Sequence, residues 1–157
     1  MDSIGLPHDT VALALRLGLA TLLGATVGLN REISLKPAGL RTHALVALGS
    51  ALLAYVGLQL GQSASDGAAA SRIVQGMVAG IGFIGGGVIL HRHDVRGVHG
   101  LTTAASIWVV AATGAAVGTG LWRAALMAIV LALIILSVGR RIDYALHRIS
   151  SDTFDDD

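Results

Sequence analysis

The most polar stretch of this chain is the segment at residues 30–42, which reads NREISLKPAGLRT. It contains the only glutamate and the only lysine of the chain, Glu32 and Lys36, together with Arg31 and Arg41. A glutamate near two arginines can form exposed ion pairs, which contribute about 0–1 kcal/mol. It can also join a buried network at membrane depth, where ionised side chains are costly and usually functional.

The buried alternative extends to a second segment, because two parts of the sequence begin alike. Residues 39–44 read GLRTHA and residues 100–105 read GLTTAA. The structural alternative is helix capping, in which the threonines accept backbone N–H groups and Gly39 and Gly100 adopt positive φ angles. The candidate polar network comprises Asn30, Arg31, Glu32, Arg41, Thr42, Thr102 and Thr103.

A second polar cluster contains the weak metal-ligand candidates His91, His93 and Asp94. A His-x-His pattern with aspartate suits a transition metal, whereas Mg²⁺ prefers oxygen ligands. Arg92 and Arg96 would repel a cation, so we predict no metal site and no cofactor. The chain has no cysteine and no catalytic serine, phosphate-loop or zinc motif, so enzyme activity is not predicted.

The composition places these polar residues in a membrane protein. Of the 157 residues, 54% are hydrophobic and 13% are charged, whereas about 25% are charged in an ordinary soluble domain. The net charge of +1 gives no reason to expect nucleic-acid binding. The lipid bilayer is the expected surrounding medium.

Five stretches are long and apolar enough to span a bilayer as helices. They cover residues 10–29, 42–60, 73–90, 101–117 and 121–138. Lipid offers no partner to an unpaired backbone, and the alternation typical of a barrel is missing, so these stretches predict helices. The predicted fold is an all-α membrane protein with two similar hairpins and a fifth, peripheral helix. The hairpin similarity fits a parallel repeat or chance convergence on a good helix start.

The basic residues predict the orientation of the helices. Lysine and arginine concentrate between spans one and two, between spans three and four, and after span five. Because cytoplasmic loops are enriched in these residues, we predict the N-terminus outside and the C-terminus inside. The predicted organisation is an extracytoplasmic segment at 1–9, a five-helix domain at 10–140 and a cytoplasmic tail at 141–157, acidic and disordered at its end.

Small residues indicate which helix faces pack. Pairs of glycines four residues apart allow close helix contact in lipid, and spans one to four are predicted to form the packed centre. Span five is aliphatic on every face and is predicted to face lipid. Gly85–Gly87 fits either tight packing or a weakened or broken helix whose free carbonyls line an ion path. The predicted packing residues are Gly24, Gly28, Gly76, Gly80, Gly82, Gly85, Gly86 and Gly87.

Arg16 is the one charged residue well inside a predicted span. A charge at the bilayer centre costs about 2.5–3.5 kcal/mol on insertion scales. Its side chain is expected to extend outward to the interface. The alternative is a partner within the bundle, either an aspartate or a backbone carbonyl.

Several of these segments together resemble the MgtC/SapB family of bacterial inner-membrane proteins. The matching segments are GLNRE at 28–32, AGLRTHALVALGSAL at 38–52, GIGFIGGGVI at 80–89, VHGLTTAASIW at 98–108 and the glycine-flanked segment at 114–120. They follow the family's order over residues 10–138. Two departures are Asn30, where many members have glutamate, and the soluble C-terminal domain that many members carry beyond the spans. An activity that depends on that domain is not expected here.

The resemblance implies a multi-pass protein of the bacterial inner membrane, linked to adaptation to magnesium limitation, acid stress or life inside host cells. It implies regulation of other membrane proteins, including the ATP synthase. Our first hypothesis is a non-enzymatic regulator that self-associates, with a dimer favoured, and contacts partners through small-residue faces. The second is a magnesium or other ion permease, which the hairpin repeat and the Gly85–Gly87 segment favour. A divalent-cation path needs oxygen ligands along its length, and the five spans contain no carboxylate.

Overall fold

Five long α-helices form the part of the chain described by the computed structural model, which covers residues 6–63, 68–90 and 99–152. They are α1 (Leu6–Ile33), α2 (Leu40–Ser63), α3 (Ala68–Leu90), α4 (Leu101–Gly118) and α5 (Trp122–Asp152). Each contains a segment long and apolar enough to cross a membrane: Thr10–Ile33, Leu40–Gly61, Ser71–Leu90, Leu101–Gly118 and Trp122–Ile142. The prediction of a five-helix, all-α membrane protein is confirmed.

The ends of two helices differ from the predicted spans in ways that matter for the site. Helix α1 continues to Ile33, so the residues Asn30, Arg31 and Glu32 lie in its last turns rather than in the loop. Helix α5 continues to Asp152 and therefore includes most of the tail predicted from residue 141. Residues 1–5 and 153–157 lie outside the described residues. The side of the membrane on which each terminus lies stays a prediction.

The centre of the bundle is made by α1, α2 and α4, which all contact one another. The buried share of the membrane segment is 50% for α4, compared with 11% for α5 and 6% for α3. Helix α5 packs on α4 and α1 at the periphery, as predicted. Helix α3 packs on α2 and α4 but is also peripheral, which corrects the expectation that spans one to four form the packed centre.

Glycine contacts explain why these three helices form the centre. At Gly24 and Gly28 of α1, an added Cβ would lie 2.5 Å and 2.6 Å from the nearest backbone atoms of α2. At Gly114 and Gly118 of α4, it would lie 2.9 Å from carbonyl carbons on α2. Helices α1 and α4 therefore approach the backbone of α2 so closely that only glycine fits, which is the packing that stabilises helix association in lipid.

The turns use positive φ angles at positions that the sequence indicates only in part. Gly100, before α4, has a φ angle of 88°, as expected for the residue that begins the second return helix. Gly39, before α2, is not a positive-φ residue. The left-handed positions of that turn are instead Leu35 and Ala38, with φ angles of 53° and 57°.

Candidate functional site

Arg31 lies buried at the end of α1, where that helix meets the start of α4. Its side chain is only 6% exposed. Its Nη2 donates a hydrogen bond to Thr103 Oγ1 at 2.6 Å, whereas its Nε is buried and has no hydrogen-bond partner. The sequence left open whether this arginine anchors an exposed turn or joins a buried network. The structure places the Arg31 side chain in the interior, as the buried alternative predicted.

His43 of α2 is the second buried polar group at this end of the bundle, and it is 0% exposed. Its Nδ1 lies 3.0 Å from the carbonyl oxygen of Gly39, and its Nε2 lies 3.0 Å from Ser106 Oγ. A carbonyl can only accept, so Nδ1 carries a hydrogen. Ser106 Oγ also lies 2.8 Å from the carbonyl oxygen of Thr103, so its single hydrogen has two possible acceptors.

His43 and Ser106 were absent from the network predicted from the sequence. A single histidine near a helix start and a single serine within a small-residue helix have no spacing that pairs them. Only the close packing of α2 on α4 brings them together. The cluster of Arg31, His43, Thr103 and Ser106 links α1, α2 and α4 at one end, and we call it the buried polar cluster.

Glu32 lies beside this cluster but points to the surface, where it caps α2. Its Oε2 accepts the backbone N–H of Leu40 at 2.8 Å. A Cβ at Gly39 would lie 2.5 Å from the same Oε2, so a larger residue there would require the Glu32 side chain to shift. Among the described residues, no ion pair joins Glu32 to Arg31 or Arg41, which corrects the exposed-pair alternative.

Asn30 faces α5 rather than the buried polar cluster. Its Nδ2 donates to Ser137 Oγ at 3.4 Å. One turn later, Ser34 Oγ donates to the carbonyl oxygen of Asn30 at 2.7 Å and accepts a hydrogen bond from Arg140 Nη1. These contacts attach the peripheral helix α5 to the end of α1.

The remaining members of the predicted network do not join the cluster. Arg41 and Thr102 are exposed and Thr42 is partly buried. Within the described ranges, no hydrogen bond or ion pair of these three side chains is present. The N-terminus of α4 has no side-chain cap, so the capping alternative is wrong for Thr102 and Thr103. The functional role assigned to the predicted network stays a prediction.

The predicted packing glycines divide into two groups. Gly24 and Gly28 lie against α2, and Gly85 would place a Cβ 3.4 Å from Ala104 Cβ. The others would place a Cβ in open space, with no atom of the described chain within 4 Å; these are Gly76, Gly80, Gly82, Gly86 and Gly87. Within the described ranges, this second group therefore has no packing partner. Helix α3 is continuous through Gly85–Gly87, which corrects the broken-helix alternative.

Arg16, in the first half of α1, has a partner in the bundle. Its Nη1 donates to the carbonyl oxygen of Gly118 at 3.1 Å. This carbonyl lies at the C-terminus of α4, where a positive charge is favourable. The carbonyl partner is therefore observed. Because Gly118 ends the segment Leu101–Gly118, this contact also agrees with a side chain that extends toward the interface.

No metal centre is present among the residues that the structure describes. No group of three potential metal ligands occurs there. The weak candidates His91, His93 and Asp94 lie outside the described residues.

An apolar groove of about 240 Å³ lies between α3 and α4. It is lined by Val74, Met77, Val78, Ile81, Trp108, Ala111, Ala112 and Ala115.

Comparisons with known proteins agree on one family. The model of the MgtC family matches residues 17–145. Protein SrpB of Synechococcus elongatus is 46% identical, over 90% of this chain and 83% of SrpB. Putative magnesium transporter YhiD of Escherichia coli is 38% identical, over 87% of this chain and 65% of YhiD. Protein MgtC of Salmonella typhimurium is 40% identical, over 76% of this chain and 48% of MgtC, so the match spans about half of that relative. No solved structure matches the chain significantly.

Proposed function

The chain belongs to the MgtC family and is a multi-pass membrane protein of that type, and from this premise we propose that it regulates other membrane proteins by helix–helix contact. We place it in the bacterial inner membrane and link it to adaptation to magnesium limitation or stress. We propose that it self-associates, with a dimer favoured. A further partner is another membrane protein, such as the ATP synthase that the family resemblance suggests.

The observation that supports this proposal is the closed centre of the bundle. Glycines of α1 and α4 lie against the backbone of α2 at distances that leave no room for a Cβ. An ion path between these helices would have to separate them. The large side chains fully buried in the centre are mainly aliphatic, and the buried polar ones, such as His43, Thr103 and Thr113, include no carboxylate among the described residues.

The charge at the end of the centre also disfavours a cation path. Arg31 is buried beside Thr103 at the junction of α1 and α4. A buried guanidinium repels Mg²⁺, which binds through carboxylates, carbonyls and water. Glu32 points away and caps α2, so it supplies no ligand to the centre.

The surface that we propose for contact is the outer face of α3. Only 6% of its membrane segment is buried within the chain, and five of its glycines have open space beside them. Phe83 on this helix is 85% exposed. Small residues allow another helix to approach closely, so this face suits a transmembrane partner better than the bulky aliphatic face of α5.

Photo-crosslinking tests this surface. A photoreactive amino acid at Phe83 should give covalent protein adducts in membranes, including a dimer. In the matched control, the same photoreactive amino acid replaces Met127, which is 63% exposed on α5. Gly80→Leu should remove the Phe83 adducts, whereas Gly49→Leu, at an equally open position on α2, should leave them. Equal protein adducts from both positions, or lipid adducts alone, would contradict the proposal.

The alternative function is ion transport, which the name of the relative YhiD, putative magnesium transporter, favours. Purified protein in liposomes separates the two functions. We expect no protein-dependent influx of magnesium. Influx above that of protein-free liposomes, and weakened by a variant that keeps the fold, would overturn the regulatory proposal and support the permease.

A further inference from the structure

Among the residues that the structure describes, an anionic side chain caps the N-terminus of α2, whereas none caps the N-terminus of α4. The first N–H groups of any helix have no acceptor within the helix and form its positive end. In α2, the carboxylate of Glu32 accepts the N–H of Leu40 at 2.8 Å. In α4, which begins with a similar sequence, the N-cap residue is Gly100 and no side chain caps the helix.

The guanidinium of Arg31 lies at the same place, and it too has no anionic partner within the described ranges. Arg31 is 6% exposed and donates to Thr103, in the first turn of α4. Its Nε is buried without a hydrogen-bond partner. A guanidinium has five N–H donors, and a buried charge without a counter-charge is costly. Placing this cation at the positive end of a helix adds repulsion, which an anion at the site would remove.

We propose that the N-terminus of α4 and the guanidinium of Arg31 together form a binding site for a phosphate-type oxyanion. Backbone N–H groups at a helix N-terminus bind such anions directly. A guanidinium pairs with them through two parallel hydrogen bonds. Leu101 is 57% exposed and Thr102 is also exposed, so the anion approaches from the surface while Arg31 lies on the inner side.

The depth of the site indicates two sources for the phosphate. Arg31 lies two residues before the end of the segment Thr10–Ile33, and Leu101 begins the segment Leu101–Gly118. Both are therefore at the end of a hydrocarbon span, where lipid headgroups lie. The phosphate of an anionic lipid and free inorganic phosphate share the required chemistry, and the binding experiment distinguishes them.

The test uses the full chain, purified in an uncharged detergent. One arm titrates inorganic phosphate by calorimetry, and the other follows retention of short-chain phosphatidylglycerol by native mass spectrometry. Thr102→Asp supplies a carboxylate at the N-terminus of α4, where acidic residues are favourable, so the fold is kept. It should weaken binding by about tenfold or more, because its carboxylate occupies the site. Arg31→Lys should also weaken binding, since it loses the two-pronged geometry.

Arg140→Gln is the matched control, because Arg140 is an exposed arginine at the same end of the bundle. It should change binding by no more than about twofold, as expected for a surface charge. Two results would overturn the proposal. They are the absence of binding in both arms and an equal loss of binding in Arg140→Gln. Phe83 crosslinking is independent of both, so a failure here leaves the proposed function standing.

Discussion

Substituting Gly114 by alanine tests one of the closest helix contacts of the bundle. The added Cβ would lie 2.9 Å from both the carbonyl carbon and the Cα of Ala47. Ordinary contacts of this kind begin at 3.4 Å, so α4 and α2 must separate by at least about 0.5 Å. The obstructing atoms belong to the backbone of a helix, so no side-chain rotation can relieve the overlap.

This separation should destabilise the protein by about 1–3 kcal/mol, the usual cost of overpacking. A gap of about 0.5–1 Å forfeits a quarter to a half of each dispersion contact along the seam. Alanine has a better helix propensity than glycine by about 1 kcal/mol, which offsets part of the loss. The net change should still be a loss, because the contact extends along both helices.

Gly49→Ala is the control, since Gly49 lies on α2 with no atom within 4 Å of the Cβ position. It should leave stability unchanged or raise it by up to about 1 kcal/mol through helix propensity alone. Both variants can be unfolded in mixed micelles by titration with sodium dodecyl sulfate and followed by the fluorescence of Trp108 and Trp122. Wild-type stability for Gly114→Ala, or an equal loss for Gly49→Ala, would refute the reasoning.

Three further predictions concern single hydrogen bonds. Ser106→Ala should lower stability in the same titration by about 1–3 kcal/mol, because it leaves Nε2 of buried His43 without its partner; an unchanged midpoint would contradict this. Arg16→Gln should speed amide exchange just beyond Gly118, whose carbonyl it no longer reaches; unchanged exchange there would show that the bond is dispensable. Glu32→Ala should cost about 0.5–2 kcal/mol by removing the cap of α2, whereas Glu32→Gln, which keeps an acceptor oxygen, should retain most of that stability. An equal loss in both Glu32 variants would indicate a charge effect instead.

The helices were predictable because each is a long apolar run, and lipid leaves the backbone no other structure. The way in which the helices pack together was less predictable. Small residues occur on α1, α3 and α4 alike, and spacing alone does not say which face finds a neighbour. Gly114 and Gly118 lie against α2, whereas the equally well-spaced Gly76 and Gly80 of α3 have open space beside them.

The site was predictable at its centre but not in its partners. Arg31 and Thr103 were both expected in one network, since a charge near a span and a repeated helix start are visible in the sequence. The direction in which the Glu32 side chain points was not predicted, because consecutive residues on a helix point to different sides. Its neighbour Arg31 therefore faces the centre while Glu32 caps α2.

Both arginines of α1 depend on a helix that is synthesised much later. Arg16 bonds to Gly118 and Arg31 to Thr103, 102 and 72 residues further along the chain. While the protein is being made, α1 therefore enters the membrane with two cations whose partners do not yet exist. Assembly of the bundle is complete only when α4 arrives, so a chain truncated before α4 should be a target for membrane quality control.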